Sequence, residues 1–187
     1  MGLCTSPTYT GDNYVEMMDF LGLTIQFRKN LGWTRRGALK IGLPEPILKV
    51  EPTFVVAQTL GEARSVNVTL EIPEGASVTN LVLWQIRLGY NTTILNATGA
   101  SVLPGNPFEG LTYVSPTPYI DDAEGYILFM CCLMSPSDYV NVTVTKPLTK
   151  FDFITTAEGT TSLTLQDINI TSGTYLQNKD GEFIDFE

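Results

Sequence analysis

In Ser65-Val66-Asn67-Val68-Thr69-Leu70-Glu71-Ile72, the apolar residues Val66, Val68, Leu70 and Ile72 alternate with Ser65, Asn67, Thr69 and Glu71. Successive side chains of an extended chain point to opposite sides, so this segment is a strand with one face buried and the other in water. Val140-Asn141-Val142-Thr143-Val144 repeats the period, and half-buried strands of this kind pair antiparallel. Two further stretches, Leu81 to Leu88 and Tyr126 to Leu133, are apolar on both faces and belong in the core. Turn-forming clusters at Pro73-Glu74-Gly75, Gly89-Tyr90-Asn91, Pro104 to Pro107 and Ser135-Pro136-Ser137 follow at intervals too short for crossover helices. The expected fold class is mainly β, an antiparallel sandwich or barrel.

Working outward, Leu163 and Leu165 are out of phase with Ile168 and Ile170, a slip that a bulge near Gln166 or Asp167 would absorb. Tyr175-Leu176 and Phe183-Ile184 flank Asn178-Lys179-Asp180-Gly181, which reads as a C-terminal hairpin whose glycine supplies a positive backbone dihedral. Towards the N-terminus, Asp12 is placed to cap a short helix over Asn13 to Leu21, ending at Gly22, and Leu23 to Phe27 suits a strand. The Pro44-Glu45-Pro46 and Glu51-Pro52 breaks suggest an extended linker. The expected division is an N-terminal arm and linker over 1–50 and a β-sandwich with its hairpin over 51–187.

The 187 residues are 43% hydrophobic, enough for one domain with a real core. Their net charge of −9 is uneven: Arg28, Lys29, Arg35, Arg36 and Lys40 place five positive charges between Arg28 and Pro44 with no acid, leaving −14 on the rest. An acidic body of that size opposes nucleic-acid binding. The basic residues are interleaved with Phe27, Leu31, Trp33, Leu39 and Ile41, and Arg with Trp is the composition of an interface anchor. Arg28, Lys29, Trp33, Arg35, Arg36 and Lys40 are therefore the expected partner-binding residues, facing an acidic protein surface that includes other copies of the chain. The longest apolar block, Ile127 to Met134, has eight residues, where a membrane-spanning helix needs about 20. No membrane association is expected, and the chain reads as soluble and made in the host cytoplasm.

Little here suggests catalysis. The chain has no histidine, so the commonest general base is missing, and no pair of carboxylates stands out for glycoside hydrolysis. Cys4, Cys131 and Cys132 offer too few ligands for a metal site; Cys131 and Cys132 are neighbours that point to opposite faces of a strand, which speaks against a disulfide framework. Asp121, Asp122 and Glu124 lack the spacing of a calcium loop and suit a polar turn closed by Gly125. No cofactor and no enzymatic activity are expected. Five Asn-x-Thr sequons begin at Asn67, Asn91, Asn96, Asn141 and Asn169. The solvent face of an alternating strand explains such pairs as Asn67 with Thr69 and Asn141 with Thr143, and that reading is preferred to glycosylation.

Over about residues 53 to 146 the chain resembles the immunoglobulin-like sandwiches. The likeness rests on a strand bearing Leu70, Trp84 14 positions later, and Asp122-Ala123-Glu124-Gly125-Tyr126 ahead of the strand to Leu133. It implies a tyrosine corner at Tyr126; the paired cysteines of that superfamily are absent, with Leu70 or Ile72 and Leu128 in their places. An acidic sandwich with an extended arm is also similar, in architecture alone, to the head decoration proteins of tailed bacteriophages. That similarity implies a virion structural protein that decorates or cements a capsid and binds capsid proteins through its arm. The alternative is a cell-surface or tail-borne recognition module, binding a glycan or receptor through loops bearing Phe108, Tyr113 and Tyr119.

Overall fold

A computed structural model of the chain describes residues 44–187. The helix over Asn13 to Leu21, the strand over Leu23 to Phe27 and the six expected partner-binding residues Arg28, Lys29, Trp33, Arg35, Arg36 and Lys40 all lie outside the described residues.

Among the described residues every helix or strand element is a strand. In chain order these are β1 (Ile47–Glu51), β2 (Phe54–Ala57), β3 (Ala63–Glu71), β4 (Val78–Gly89), β5 (Leu95–Val102), β6 (Tyr113–Val114), β7 (Tyr119–Asp121), β8 (Tyr126–Leu133), β9 (Val140–Val142), β10 (Lys146–Thr155), β11 (Gly159–Ser162), β12 (Thr164–Leu165), β13 (Tyr175–Asn178) and β14 (Phe183–Ile184). The smaller main sheet has the order β1-β3-β10-β5; the larger runs β14-β13-β4-β8-β6, with β7 also on β8 and β9 and β12 on β4. A third, two-stranded piece pairs β2 with β11, and every pairing is antiparallel. The molecule is thus the antiparallel β-sandwich that the alternating segments predict.

The alternation in β3 decides what fills the space between the sheets. Val66, Val68 and Leu70 are fully buried, joined by Leu95 from β5 and Phe151 and Phe153 from β10. Trp84, Ile86 and Leu88 of β4, with Ile127, Phe129 and Cys131 of β8, face them from the larger sheet. Trp84 meets Phe129 edge-on at 5.9 Å, and Tyr90 meets Phe153 at 5.2 Å, geometries in which the positive edge of one ring faces the negative face of the other. Each buried aliphatic side chain here contributes about 1.5–3 kcal/mol of transfer free energy.

Three local expectations are corrected. Residues 47–50, expected as linker, form β1 together with Glu51, and its partner β3 satisfies its backbone in a register from Ile47 opposite Glu71 to Glu51 opposite Asn67. Pro46 and Pro52 only delimit this strand, since the residues between them keep their N–H groups. On its other side, Leu48 N–H donates to the Glu187 carbonyl and Glu187 N–H to that of Pro46, so the end of the described chain covers an edge. The slip near Gln166 is a loop and not a bulge: β12 ends at Leu165, and Asp167 and Asn169 take φ of 51° and 59°. Finally, Tyr126 is not a corner tyrosine. It neighbours Ile127, which is in the core, so its ring lies on the opposite, outer face of β8.

The C-terminal hairpin is as expected, with Leu176 opposite Ile184, Gln177 opposite Phe183 and Gly181 at φ 77°.

Candidate protein-binding face

Register alone places the side chains on the outside of the larger sheet. The pairs Leu83–Cys132, Gln85–Met130 and Arg87–Leu128 join β4 to β8, between the core-facing pairs Trp84–Cys131 and Ile86–Phe129. β13 sets Tyr175 beside Gln85 and Gln177 beside Leu83, β14 sets Phe183 beside Gln177, and β6 sets Val114 beside Cys132. One row, Phe183, Gln177, Leu83, Cys132 and Val114, therefore crosses five strands.

This outer face is apolar. Leu83, Leu128, Met130, Cys132 and Tyr175 form a second buried cluster, separate from the core, with Val82, Val114, Tyr126 and Phe183 packed against it and partly open. Tyr175 and Phe183 meet edge-on at 5.2 Å. Doubly apolar strands such as β4 and β8 normally lie beneath another layer. Here the cluster itself is closed to solvent, Met130 at 0% and Tyr175 at 1% exposure, and what stays partly open is its margin, Val82, Val114, Tyr126 and Phe183.

That margin is specific. β7 brings Tyr119 opposite Leu128, 37% exposed, and its ring lies 6.0 Å from that of Tyr126. The Arg87 guanidinium sits over the Tyr126 ring, 3.7 Å from its centroid, and is paired with Asp167. Burial pushes the Tyr126 hydroxyl above its usual pKa, with Arg87 acting in the opposite sense. The loop carrying Asp167 is tied to β4: Gln85 Nε2 donates to the carbonyls of Thr171 (3.1 Å) and Gly173 (2.7 Å), and Thr174 Oγ1 lies 3.0 Å from Arg87 N and 3.2 Å from Arg87 O. A buried glutamine in β4 thus reads as a tether for this loop.

The two cysteines part as their adjacency requires, Cys131 into the core and Cys132 into the outer cluster. Burial pushes the Cys131 thiol up to about 12, with Cys132 adding to the shift, and the Cys132 thiol up to about 11. Neither is a thiolate nucleophile at neutral pH.

The loop aromatics proposed for glycan contact separate. Tyr113 and Tyr119 are about one-third exposed, whereas Phe108 is fully buried, its N–H donating to Asn106 Oδ1 in a turn that folds it into the core. Asp121 Oδ1 accepts the N–H groups of Ala123 and Glu124, and Asp122 Oδ1 accepts the Tyr90 hydroxyl at 2.9 Å. Asp121 thus closes the turn and Asp122 ties it to Tyr90. The apolar runs of β4 and β8 mark them as core strands and conceal their outward side; the signal for it is Gln85 and Arg87, two polar residues at a spacing of two within an apolar run.

No family model matches this sequence, nor does any curated protein. Among solved structures 28 chains match. A type II cohesin in complex with an X-dockerin from Acetivibrio cellulolyticus has a TM-score of 0.55 at 16% identity, covering 76% of this chain and 93% of that one. The second type II cohesin module of the adaptor ScaA scaffoldin from the same organism has a TM-score of 0.53 at 16% identity, covering 79% and 87%. CaCohA2 from Clostridium acetobutylicum reaches 0.55 at 15% identity, covering 79% and 88%. The expected capsid decoration protein, with its capsid partners and virion location, is corrected by these matches: the sandwich is that of cohesin modules of scaffoldins, not of virion components. A basic arm on an acidic body is a charge pattern that any protein-binding module can carry, so it did not specify a capsid. What the likeness shows is that this chain has the cohesin-type β-sandwich fold.

Proposed function

We propose that this chain is a protein-binding module without catalysis of its own, docking a dockerin-like domain on the outer face of the larger sheet. The observation that carries this reading is the partly exposed margin of that face, Tyr119, Tyr126 and Arg87 with Val82, Val114 and Phe183, held in place by the buried cluster of Leu83, Leu128, Met130, Cys132 and Tyr175. Partly exposed aromatic rings beside an arginine, on rigid apolar packing, are the composition of an interface anchor. Further support comes from cohesins of the same fold whose structures contain dockerins. Arg28, Lys29, Trp33, Arg35, Arg36 and Lys40 form a second, separate contact in this proposal, through which charge steers an acidic partner.

The test is binding of the full chain to a panel of dockerin modules by biolayer interferometry. Tyr119→Asp should weaken a positive pairing by at least about tenfold, the scale of an interface anchor, while Lys49→Ala on the smaller sheet leaves it unchanged. Replacing the five basic residues between Arg28 and Lys40 by glutamine should slow association and flatten its salt dependence. No binding by any dockerin, or equal affinity for Tyr119→Asp and the unsubstituted chain, would refute the proposal.

A further inference from the structure

Five Asn-x-Thr sequons are more than composition supplies: ten asparagines and 33 serines and threonines in 187 residues give about 2 by chance. The solvent-facing rhythm of a strand puts polar residues at Asn67 in β3, Asn96 in β5 and Asn141 in β9, and the same rhythm leaves these three amides open to a transferase. It does not account for Asn91, which stands in the turn between β4 and β5.

The structure sorts the five by the state of the amide. Asn67, Asn91, Asn96 and Asn141 are all exposed. At Asn91 the side-chain oxygen accepts both the N–H and the hydroxyl of Thr93, at 3.0 and 2.8 Å, and at Asn141 it accepts the N–H of Asn80 at 2.9 Å. In both cases the fold uses Oδ1. In none of the four does Nδ2 make a hydrogen bond among the described residues. Asn169 differs: it is half-buried, its Oδ1 is buried, its backbone is at φ 59°, and its N–H donates to the Thr174 carbonyl inside the loop that abuts β4.

We propose that Asn67, Asn91, Asn96 and Asn141 are N-glycan acceptors and that Asn169 is bare in the folded protein. The donor is an oligosaccharide carried on a polyprenyl phosphate. The acceptor Nδ2 attacks its anomeric carbon; an N–C bond forms as the bond from that carbon to the phosphate oxygen breaks, the lipid phosphate leaves with the electron pair, and one Nδ2 proton passes to a base of the transferase. The amide oxygen is unchanged, so the Oδ1 hydrogen bonds at Asn91 and Asn141 survive. Asn67 and Asn96 both point outward from the smaller sheet, because Val66 and Val68, and Leu95 and Ala97, point in. Asn96 lies directly opposite Ile154, which is 40% exposed, so the first sugar would shield an apolar side chain and the open edge of β5. Glycans at Asn67 and Asn96 leave the outer face of the larger sheet uncovered, while Asn141, between the inward-facing Val140 and Val142 of β9, would carry its sugar at the β9 end of that face.

Glycopeptide mass spectrometry of the full chain isolated from its native cells tests this. The expected result is sugar on the peptides bearing Asn67, Asn91, Asn96 and Asn141 and none on that bearing Asn169. In the same cells Thr69→Ala should abolish modification of Asn67, and Thr69→Ser should retain it, since the hydroxyl completes the sequon. Bare peptides at all four positions, or sugar on Asn169 alone, would overturn the proposal.

Discussion

Arg87 and Tyr126 are diagonal neighbours on β4 and β8, and the guanidinium carbon lies 3.7 Å from the centre of the tyrosine ring. The same guanidinium is paired with Asp167 and lies 3.4 Å from the Ser172 carbonyl. One side chain thus connects the exposed aromatic margin of the larger sheet to the loop packed against its end.

Arg87→Ala should lower stability by about 1–3 kcal/mol, combining a partly desolvated cation–π contact with a partly buried ion pair. Arg87→Lys should recover less than half of this, because an ammonium cannot stack flat while holding a carboxylate. Urea denaturation of the three proteins measures both differences.

Trp84 is fully buried against Phe129, and Trp84→Ala should cost about 3–5 kcal/mol through the cavity it opens. Trp84→Phe should cost less than half as much. It leaves a smaller void and removes an indole N–H that is buried without a partner among the described residues. Equal midpoints for the two variants in denaturant would show that the site collapses freely.

Gly125 closes the Asp121 turn at φ 70°, and a β-carbon there would stand 2.7 Å from the Tyr90 carbonyl oxygen. Its own carbonyl accepts the Tyr90 N–H at 2.9 Å, so the backbone has no room to withdraw. Gly125→Ala should destabilise the sandwich by about 2 kcal/mol, from backbone strain together with the forced separation of the two chains. Thermal melting is the measurement.

The thiols of Cys131 and Cys132 have their pKa values raised to about 12 and about 11 from an ordinary 9.0. Above pH 9 the unfolded chain loses these protons while the folded one keeps them, so the unfolded state binds fewer protons and stability falls as pH rises. The contribution is complete below pH 9 and disappears progressively between pH 9 and about 12. Cys131→Ala, Cys132→Ala protein should show a shallower alkaline loss of stability. At pH 8, iodoacetamide should label either thiol only in denaturant.

The sandwich was legible wherever one physical period dominated. The alternation in β3 and the near-continuous apolar runs of β4 and β8 specify strands and their depth, because a strand's side chains have only two directions in which to point. The hairpin around Gly181 was legible for a similar local reason: few residues accept a positive φ. β1 was not legible. Its Ile47-Leu48-Lys49-Val50-Glu51 lies between prolines, and only pairing with β3, about twenty residues away in sequence, makes it a strand.

By itself the sequence determined an antiparallel β protein with a buried Trp84 and two oppositely directed cysteines, since these follow from local periodicity. Tertiary structure alone decided that Tyr126 faces outward beneath Arg87, that Phe108 is core and not a loop tip, and that Leu83, Met130 and Tyr175 meet as a second buried cluster. Those facts depend on which strands become neighbours and in what register. Register is set by the closure of the whole sandwich, and a shift of one residue would exchange the outer face for the core.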